Sequence, residues 1–170
     1  MPIPDFVRDL RRHIGTAELW LPGITAVVCR PAPGSRTVTG TGTGAGTELL
    51  LVQRSDNGQW TPVTGIVDPG EEPAVAARRE VLEETGVVVS VDRLASVQAL
   101  PRTTHVNGDL ATYLDHTFAC SHVSGEPVIG DDESLAVGWF PVADLPPMQQ
   151  SYRDRIAHVL SDDPVTRFVR

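Results

Sequence analysis

The sequence is poor in cysteine and has no long hydrophobic run, and each shortage excludes a class of protein. Its 170 residues include two cysteines, Cys29 and Cys120, each within an apolar stretch. We expect buried, reduced thiols, with one Cys29–Cys120 disulfide as the alternative. No apolar run approaches the roughly 18 residues that cross a bilayer. The charged N-terminus, MPIPDFVRDLRRHIG, lacks the apolar centre of a signal peptide. The sequence therefore predicts a cytoplasmic protein with no membrane partner.

Positive charge is also scarce. The chain carries 14 basic and 22 acidic residues, which gives a formal net charge of −8. Long nucleic acids are bound mainly through lysine and arginine on their phosphates, so a nucleic-acid polymer is not expected as a partner. A small polyphosphate remains a suitable ligand if a cation screens its charge. The five histidines are scattered, without metal-ligand spacing.

Length and composition fit a single domain over residues 1–170. Hydrophobic residues make up 41% of the chain, enough for a real core, and we find no internal repeat or linker. Apolar, β-branched runs predict several strands around one central helix, a mixed α/β pattern without strict βαβ alternation. The strand candidates are ITAVVCR, ELLLVQR, VVVSVDRLASVQAL, LATYLDHTFACSHV and AVGWFPV. Asn107-Gly108, between the third and fourth of them, is a hairpin-turn signal.

Helices are predicted at both ends of the chain. The N-terminal extension, residues 1–20, holds a short amphipathic helix, and the C-terminal segment, residues 147–170, holds a closing helix and a tail. The apolar residues at helical spacing in the first helix are Phe6, Val7, Leu10 and Ile14. This apolar side, together with Leu19 and Leu21, covers either a second copy in a homodimer or the chain's own sheet.

A stretch rich in glycine and threonine spans residues 33–47. Glycine-rich loops can cradle phosphate, but this one has neither the dinucleotide fingerprint nor the Walker lysine. We therefore expect a long, mobile hairpin loop and leave its role open.

From Gly65 to Val87 the chain reads GIVDPGEEPAVAARREVLEETGV, which concentrates glutamates in a short segment. A proline at its start and a glycine directly after its end predict a helix over about residues 73–85. Three glutamates, Glu80, Glu83 and Glu84, share one side of that helix at i+3 and i+4 spacing. The opposite side is predicted to face the core and carries Ala74, Val75, Ala77, Val81 and Leu82.

Like charges at this spacing repel. The pair Glu80 and Glu84 costs a few tenths of a kcal/mol on an exposed helix, and more in a cleft where the dielectric is lower. A divalent cation reverses the sign of this interaction, and carboxylate oxygens suit Mg²⁺, or Mn²⁺ as a substitute. The alternative is a solvated acidic stripe without a ligand.

The spacing of this segment resembles the signature of the Nudix hydrolases, Gx5Ex7REUxEExGU with U aliphatic, at every position. The resemblance covers about residues 20–146, with the 23-residue signature as its specific part. It implies a Nudix-type α/β/α sandwich with a mixed sheet around the glutamate-bearing helix. It also implies an enzyme that uses Mg²⁺ or Mn²⁺ to hydrolyse nucleoside diphosphates linked to another moiety.

The resemblance also implies roles for single residues. Glu83 and Glu84 would be the main metal ligands, and Glu80 a further ligand or the base that activates the attacking water. Arg79 would orient the glutamates by charge-assisted hydrogen bonds. Glu71 would support the geometry of loop and helix or complete a second metal site.

Two further candidates lie outside the helix. Family members often carry Pro-Gly-Gly before the signature's five-residue loop and bind the metal through the backbone carbonyl before Gly65. Here the stretch is WTPVTGIV, so that carbonyl belongs to Thr64, whose β-branched side chain restricts the backbone. Glu133, in GDDESLAVGWF, is the second candidate for the base, because family members often draw an acidic residue from that region. The alternative for Glu133 and its acidic neighbours is a solvated turn.

The sequence evidence for residues that contact the substrate is weaker than the evidence for the metal ligands. Trp60 is a candidate for stacking on a base and equally for packing beside the helix. Arg54, at the end of a strand, and Arg102 are candidates for phosphate contacts, with a plain surface charge as the alternative for each. Weaker candidates lie in or near the second hairpin: His105, Tyr113, His116 and His122. Trp139 is expected in the core.

The most favoured function is metal-dependent hydrolysis of a nucleoside diphosphate derivative such as ADP-ribose. The N-terminal VRDLRRHIGTAELWLPGITAVV resembles leaders of bacterial Nudix proteins described as ADP-ribose pyrophosphatases. A nucleoside triphosphate pyrophosphatase, including one for oxidised nucleotides, is the close alternative. A Nudix-fold module that senses a nucleotide without cleaving it is the alternative from another class, but such modules typically lose a glutamate and this chain keeps all of them.

Overall fold

The fold is a nine-stranded mixed sheet with three α-helices and one short 3-10 helix (Val142–Asp144) in the part of the chain that the computed structural model describes, residues 3–34, 46–130, 134–161 and 163–168. The helices are α1 (Asp5–Ile14), α2 (Pro73–Thr85) and α3 (Gln150–Leu160). The strands are β1 (Leu19–Pro31), β2 (Thr47–Arg54), β3 (Trp60–Thr61), β4 (Val63–Ile66), β5 (Val88–Ala99), β6 (Thr103–Thr104), β7 (Leu110–Ser124), β8 (Ser134–Pro141) and β9 (Arg167–Phe168).

The main path of the sheet runs β3-β2-β1-β7-β5-β9. The central pair, β1 and β7, is parallel, whereas β1 pairs antiparallel with β2 at one end and with β4 at the other. The remaining strands extend these pairs, β8 on β2 and β6 on β7. The mixture of parallel and antiparallel neighbours confirms the predicted mixed sheet.

Strand β1 shows how the sheet separates two layers. Its residues alternate between faces: Ile24 and Val28 belong to the hydrophobic cluster that packs on α2, whereas Val27 and Cys29 belong to the cluster that packs on α3. Helices α2 and α3 therefore lie on opposite faces, and both faces are covered. This burial on both sides explains why the strand reads as a continuous apolar run.

Helix α1 packs on the same face as α3. Val7 is buried against Leu21 and Ala111, with Leu19 partly buried beside them. The apolar side of the first helix thus covers the chain's own sheet, one of the two predicted outcomes. Leu10 and Ile14, predicted on the same apolar side, are exposed instead, since this packing extends only as far as the first two turns.

Both cysteines are free and buried, as predicted. Burial raises the pKa of the Cys29 thiol to about 12. Residues 35–45, most of the Gly/Thr-rich loop, lie outside the described residues. Pro31 and Thr47 on either side of it pair as neighbours in β1 and β2, so the segment connects a hairpin, as predicted. No helix in the described part of the chain is long and apolar enough to cross a membrane.

Candidate active site

Helix α2 begins and ends where the sequence predicts. Pro73 occupies its first turn, and Gly86 follows its end in the left-handed conformation, φ +69°, donating its N–H to the Leu82 carbonyl. The prediction of which side of α2 faces the core was wrong for Val75 and Leu82. Val75 and Leu82 are 42% and 51% exposed, whereas Glu80 and Glu84 are 0% and 7% exposed. The buried side is rotated toward the glutamates, so only Glu83 of the three faces solvent.

The close approach of Glu80 to strand β4 explains this rotation. A Cβ atom placed on Gly65 would lie 2.3 Å from Cγ of Glu80, which no real pair of carbon atoms tolerates. Gly65 therefore leaves the space that the Glu80 side chain fills. A glycine at this position is required by packing and not by an unusual backbone angle.

Arg79 connects the carboxylates of the helix to the loop before it. Its Nη1 donates to Oε1 of Glu80 (2.8 Å) and Oε2 of Glu83 (3.2 Å). Its Nε and Nη2 donate to the two oxygens of Glu71 at 2.9 and 2.8 Å, and Nη2 also donates to the Ile66 carbonyl. One guanidinium thus holds three carboxylates and one backbone carbonyl together.

Glu71 uses both of its oxygens inside this cluster. Besides the two bonds from Arg79, Oε2 accepts the backbone N–H of Asp68. The Arg79 hydrogen bond holds the pKa of Glu71 below its ordinary value. These contacts join Glu71 to both the loop and the helix, and its role, support of the loop or part of a second metal site, stays a prediction.

Glu80 has the opposite environment. Burial raises the pKa of its carboxyl to about 7, and the neighbouring Arg79 offsets only part of that rise. Its second oxygen, Oε2, is buried and has no hydrogen-bond partner. A buried carboxylate oxygen without a partner is unstable on its own and calls for a cation or a proton.

The other predicted ligands lie around this point. Glu84 is one turn beyond Glu80 and lines a cavity of about 740 Å³ together with Thr64 and Gly65. Glu80 and Glu83 line a smaller neighbouring cavity. Among the described residues, no three His, Cys, Asp or Glu side chains already converge on one point as a finished metal site.

The large cavity lies mainly on the sheet face between α1 and α3. Its walls include Val7 and Arg11 of α1 and Tyr152 and Arg155 of α3. Tyr113 and Asp115 of β7 line it as well, and it extends to Glu84 of α2. Residues from both faces of the sheet therefore border one space, large enough for a nucleotide-sized ligand.

The predicted substrate residues do not all reach this cavity. Arg54 lines it and pairs with Asp56 at 2.8 Å. Arg102 is exposed, lies 3.9 Å from Glu18 and does not line the cavity. Trp60 packs edge-on against Phe140 with ring centroids 4.6 Å apart, on the α3 side of the core. The candidate base Glu133 lies outside the described residues.

The cavity contains residues that sequence reasoning missed. Arg155 of α3 and Asp115 of β7 form a buried ion pair at 3.3 Å, and both line the cavity. They are 40 positions apart in sequence, and neither belongs to a motif. The one sequence signal near them is the predicted C-terminal helix, which carries Arg155 and forms this wall of the cavity.

The structure is thus a mixed sheet with helices on both faces, a carboxylate-bearing helix on one of them and a nucleotide-sized cavity beside it. A family model described as "NUDIX domain" matches residues 36–160, so the chain belongs to the Nudix hydrolase family. The family, the enzyme class and the α/β/α sandwich predicted from the signature are thereby confirmed.

Known relatives agree with this membership. The chain is 36% identical over 100 residues to the NAD-capped RNA hydrolase NudC of Citrobacter koseri, an alignment that covers 58% of this chain and 36% of NudC. It is 45% identical over 49 residues to a MutT-like protein of Streptomyces ambofaciens, covering 29% of this chain and 32% of the relative. The chain spans about a third of the length of the curated relatives it matches.

Solved structures share the fold. An ADP-ribose pyrophosphatase from Streptococcus suis superimposes with a TM-score of 0.60 at 21% identity, covering 88% of this chain and 98% of that structure. A MutT Nudix hydrolase from Burkholderia pseudomallei gives a TM-score of 0.54 at 26% identity, with 83% and 98% covered.

Nudix hydrolases generally use divalent metals, and the residues present fit one. Glu80 and Glu84 provide carboxylate oxygens, the ligands that Mg²⁺ prefers. The buried, unpartnered Oε2 of Glu80 is an oxygen that a cation would satisfy. The donor chemistry therefore suits a hard divalent ion.

Proposed function

We propose that this chain hydrolyses the diphosphate linkage of a nucleoside diphosphate derivative such as ADP-ribose, with Mg²⁺ bound at the carboxylates of α2. The observation that carries the proposal is the excess of buried acid on this helix. Glu80 has an oxygen without a partner, and the nearly buried Glu84 opens into the large cavity. An anionic substrate can enter such a site only if a cation balances these charges.

Glu80, Glu83 and Glu84 would hold the metal, and the carbonyl of Thr64 is a further candidate ligand. When bound, the ion neutralises phosphate oxygens and makes water more acidic. Arg79 keeps Glu80 and Glu83 close together, since both accept hydrogen bonds from its Nη1. Glu71 in turn fixes the plane of Arg79 through two parallel bonds.

The base that takes the proton from the attacking water is Glu80 in the first version of this proposal. In this version Oε2 of Glu80, which has no hydrogen-bond partner, would bind the attacking water, and Glu83 and Glu84 would hold the metal. Glu133 is the second version. A comparison of Glu80→Gln with Glu133→Gln at saturating metal separates them, because removal of the base lowers kcat and leaves KM nearly unchanged.

The choice of a nucleoside diphosphate derivative rests on the cavity. It extends from Glu84 to Tyr152 and Arg155 on the other face, so it provides space for a group beyond the diphosphate. The similarity to an ADP-ribose pyrophosphatase of Streptococcus suis favours the same class. Arg54, which lines the cavity, is the candidate for a phosphate contact.

A panel assay tests the proposal. Purified protein with Mg²⁺ is offered ADP-ribose, other nucleotide sugars, dinucleotides and nucleoside triphosphates, and the products are separated by chromatography. We expect release of a nucleoside monophosphate and a sugar phosphate. No turnover of any diphosphate derivative, in either Mg²⁺ or Mn²⁺, would contradict the proposal and favour a nucleotide-sensing module.

A nucleoside triphosphate pyrophosphatase is the second candidate, favoured by the similarity to the MutT-like protein of Streptomyces ambofaciens. The same assay separates the two, because a triphosphate would yield pyrophosphate and a monophosphate. The NudC relatives act on NAD-capped RNA by name. The net charge of −8 argues against an RNA polymer here, and a capped RNA added to the panel tests that expectation.

A homodimer remains part of the proposal. Leu10, Ile14 and Trp20 are exposed apolar side chains at or near α1, a surface that a second copy would cover. Light scattering at micromolar concentration should give twice the mass of the chain, and a monomer would refute the dimer.

A further inference from the structure

Arg155 is a buried cation in the wall of the large cavity. The residue is 3% exposed, and its side chain reaches from α3 onto the sheet. Its Nε donates to the Ser151 carbonyl at 3.1 Å, and its Nη1 donates to Oγ1 of Thr25 at 2.6 Å and to Oδ1 of Asp115 at 3.3 Å.

These bonds leave part of the guanidinium unused. A guanidinium has five N–H groups; one is on Nε and two are on Nη1, and the bonds above employ all three. The two N–H groups of Nη2 have no acceptor among the residues that the structure describes. Nη2 is not among the buried atoms that lack a partner in the described chain, so it opens into the cavity, where its two N–H groups can donate to a ligand.

Asp115 decides which kind of partner suits Nη2. Its carboxylate is buried beside Arg155, and both of its oxygens are bonded, Oδ1 to Thr25 and Arg155 and Oδ2 to Thr117. The charge of Arg155 is therefore already balanced. The neighbouring Asp115 carboxylate would repel a phosphate at Nη2, whereas an uncharged acceptor carries no charge for it to repel.

The orientation of Nη2 is fixed by packing. The ring of Tyr152 lies under the guanidinium, 4.4 Å from its carbon. Tyr113 adds a second aromatic ring to the same cavity. Two donors of defined direction next to aromatic rings match the edge of a nucleobase, which offers ring nitrogens and carbonyl oxygens as acceptors.

We propose that Arg155 is a specificity-determining residue that binds the base of the substrate's nucleoside through its Nη2 donors. The inference rests on the proposed function and extends it. The carboxylates of α2 would hold a metal ion for the diphosphate at one part of the cavity, and Arg155 binds the base at another.

Kinetics with Arg155→Lys test the proposal. Lysine keeps the charge beside Asp115 but lacks Nη2. The variant is assayed on ADP-ribose and on an abasic analogue that keeps both sugars and the diphosphate. We expect the KM for ADP-ribose to rise about tenfold with kcat within about twofold, and the KM for the abasic analogue to stay constant. Equal increases for both substrates, or no increase for either, would overturn the assignment to the base.

The matched control is Arg153→Lys. Arg153 lies on the same helix, donates to the Pro146 carbonyl and does not line the cavity. Its KM values should equal those of the wild type. Circular dichroism melting of both variants checks the fold, because Arg155 also bonds the sheet.

A measurement on the wild type decides the matter even if Arg155→Lys does not fold. Protein with ¹⁵N-labelled arginine is titrated with adenosine monophosphate, ribose 5-phosphate and inorganic phosphate, without metal. We expect the Arg155 guanidinium signals, assigned through their contact with the Tyr152 ring, to shift only with adenosine monophosphate. A shift of equal size with inorganic phosphate, or no shift with any probe, would refute base recognition. These titrations need no turnover, so their failure is distinct from failure of the proposed hydrolysis.

Discussion

Two arginine-centred ionic clusters, those of Arg79 and Arg155, lie on opposite faces of the sheet and differ in charge balance. Arg79 contacts three carboxylates, those of Glu71, Glu80 and Glu83. Arg155 contacts one, that of Asp115, whose oxygens are all hydrogen-bonded. The first cluster has excess negative charge and a buried oxygen without a partner. The second is neutral and has excess donors.

This difference indicates what each cluster takes from outside. Excess buried carboxylate is stabilised by a cation, and excess donors are stabilised by an uncharged acceptor. The large cavity is bordered by Arg155 of the second cluster and by Glu84, which lies one turn beyond Glu80 on the helix of the first cluster. A metal-bound diphosphate with an attached nucleoside meets both requirements at once.

The largest expected effect comes from Glu84→Gln, which keeps the size of the side chain and removes one carboxylate from the acidic side of α2. We expect turnover of ADP-ribose to fall by roughly two to three orders of magnitude, because metal binding provides several kcal/mol of transition-state stabilisation. The exposed Glu72 at the start of the same helix provides the control, Glu72→Gln. Near wild-type activity of Glu84→Gln at saturating Mg²⁺ would contradict the metal role.

Removing the cation of the acidic cluster should cost stability. Arg79→Met leaves the buried Glu80 beside Glu83 without compensation, which we expect to lower the free energy of unfolding by about 3 kcal/mol in urea with EDTA. Arg78→Met, at an exposed position of the same helix, should change it little. Added Mn²⁺ should restore part of the lost unfolding free energy in Arg79→Met, because this variant leaves carboxylates without a cation. It should restore none in Asp115→Asn, because that variant keeps the cation Arg155 and loses the carboxylate. If Mn²⁺ restored the unfolding free energy equally in both variants, the proposed difference in charge balance between the clusters would be wrong.

The metal-free protein should lose stability as the pH rises. Burial raises the pKa of Glu80 to about 7 from 4.5, so the folded state holds this proton more tightly than the unfolded chain. The resulting stabilisation is complete below pH 4.5 and is lost as the pH passes through about 7. We compare the fall in unfolding free energy between pH 4 and pH 8, measured in EDTA, for the wild type and for Glu80→Gln, which cannot titrate. The fall should be smaller in Glu80→Gln, by on the order of 2–3 kcal/mol. The same pH dependence in both proteins would show that Glu80 is not responsible.

The smallest effect concerns the space that Gly65 leaves for Glu80. Gly65→Ala places a Cβ atom 2.3 Å from Cγ of Glu80, so the carboxylate must move. We expect a loss of about 1–2 kcal/mol in unfolding free energy and a lower affinity for Mn²⁺. Gly138→Ala in β8 is the control, because its nearest neighbour, a ring carbon of Phe140, lies at an ordinary 3.6 Å. A wild-type Mn²⁺ affinity in Gly65→Ala would show that the position of Glu80 does not matter for the metal.

The sequence predicts the acidic cluster better than the neutral one because of the range of their contacts. Glu71, Glu80 and Glu83 lie within eight residues of Arg79, so helical spacing and one short motif describe them. Asp115 and Thr25 lie 40 and 130 positions from Arg155. Their meeting depends on the parallel register of β1 and β7 and on where α3 packs, which no local pattern specifies.

The same reasoning explains the error on α2. Helical periodicity alone placed Val75 and Leu82 in the core and the glutamates outside. The structure buries Glu80 because Gly65, 15 positions earlier, admits its side chain against β4. A contact between a helix and a strand thus overrode the hydrophobic pattern of the helix.

Calorimetric titration of the metal-free protein with Mn²⁺ tests the central claim most directly, namely that the acidic side of α2 binds a divalent cation. We predict measurable uptake by the wild type, with or without a nucleotide, and uptake at least tenfold weaker in Glu84→Gln. Heat of binding that is absent in the wild type, or identical in Glu84→Gln, would contradict it.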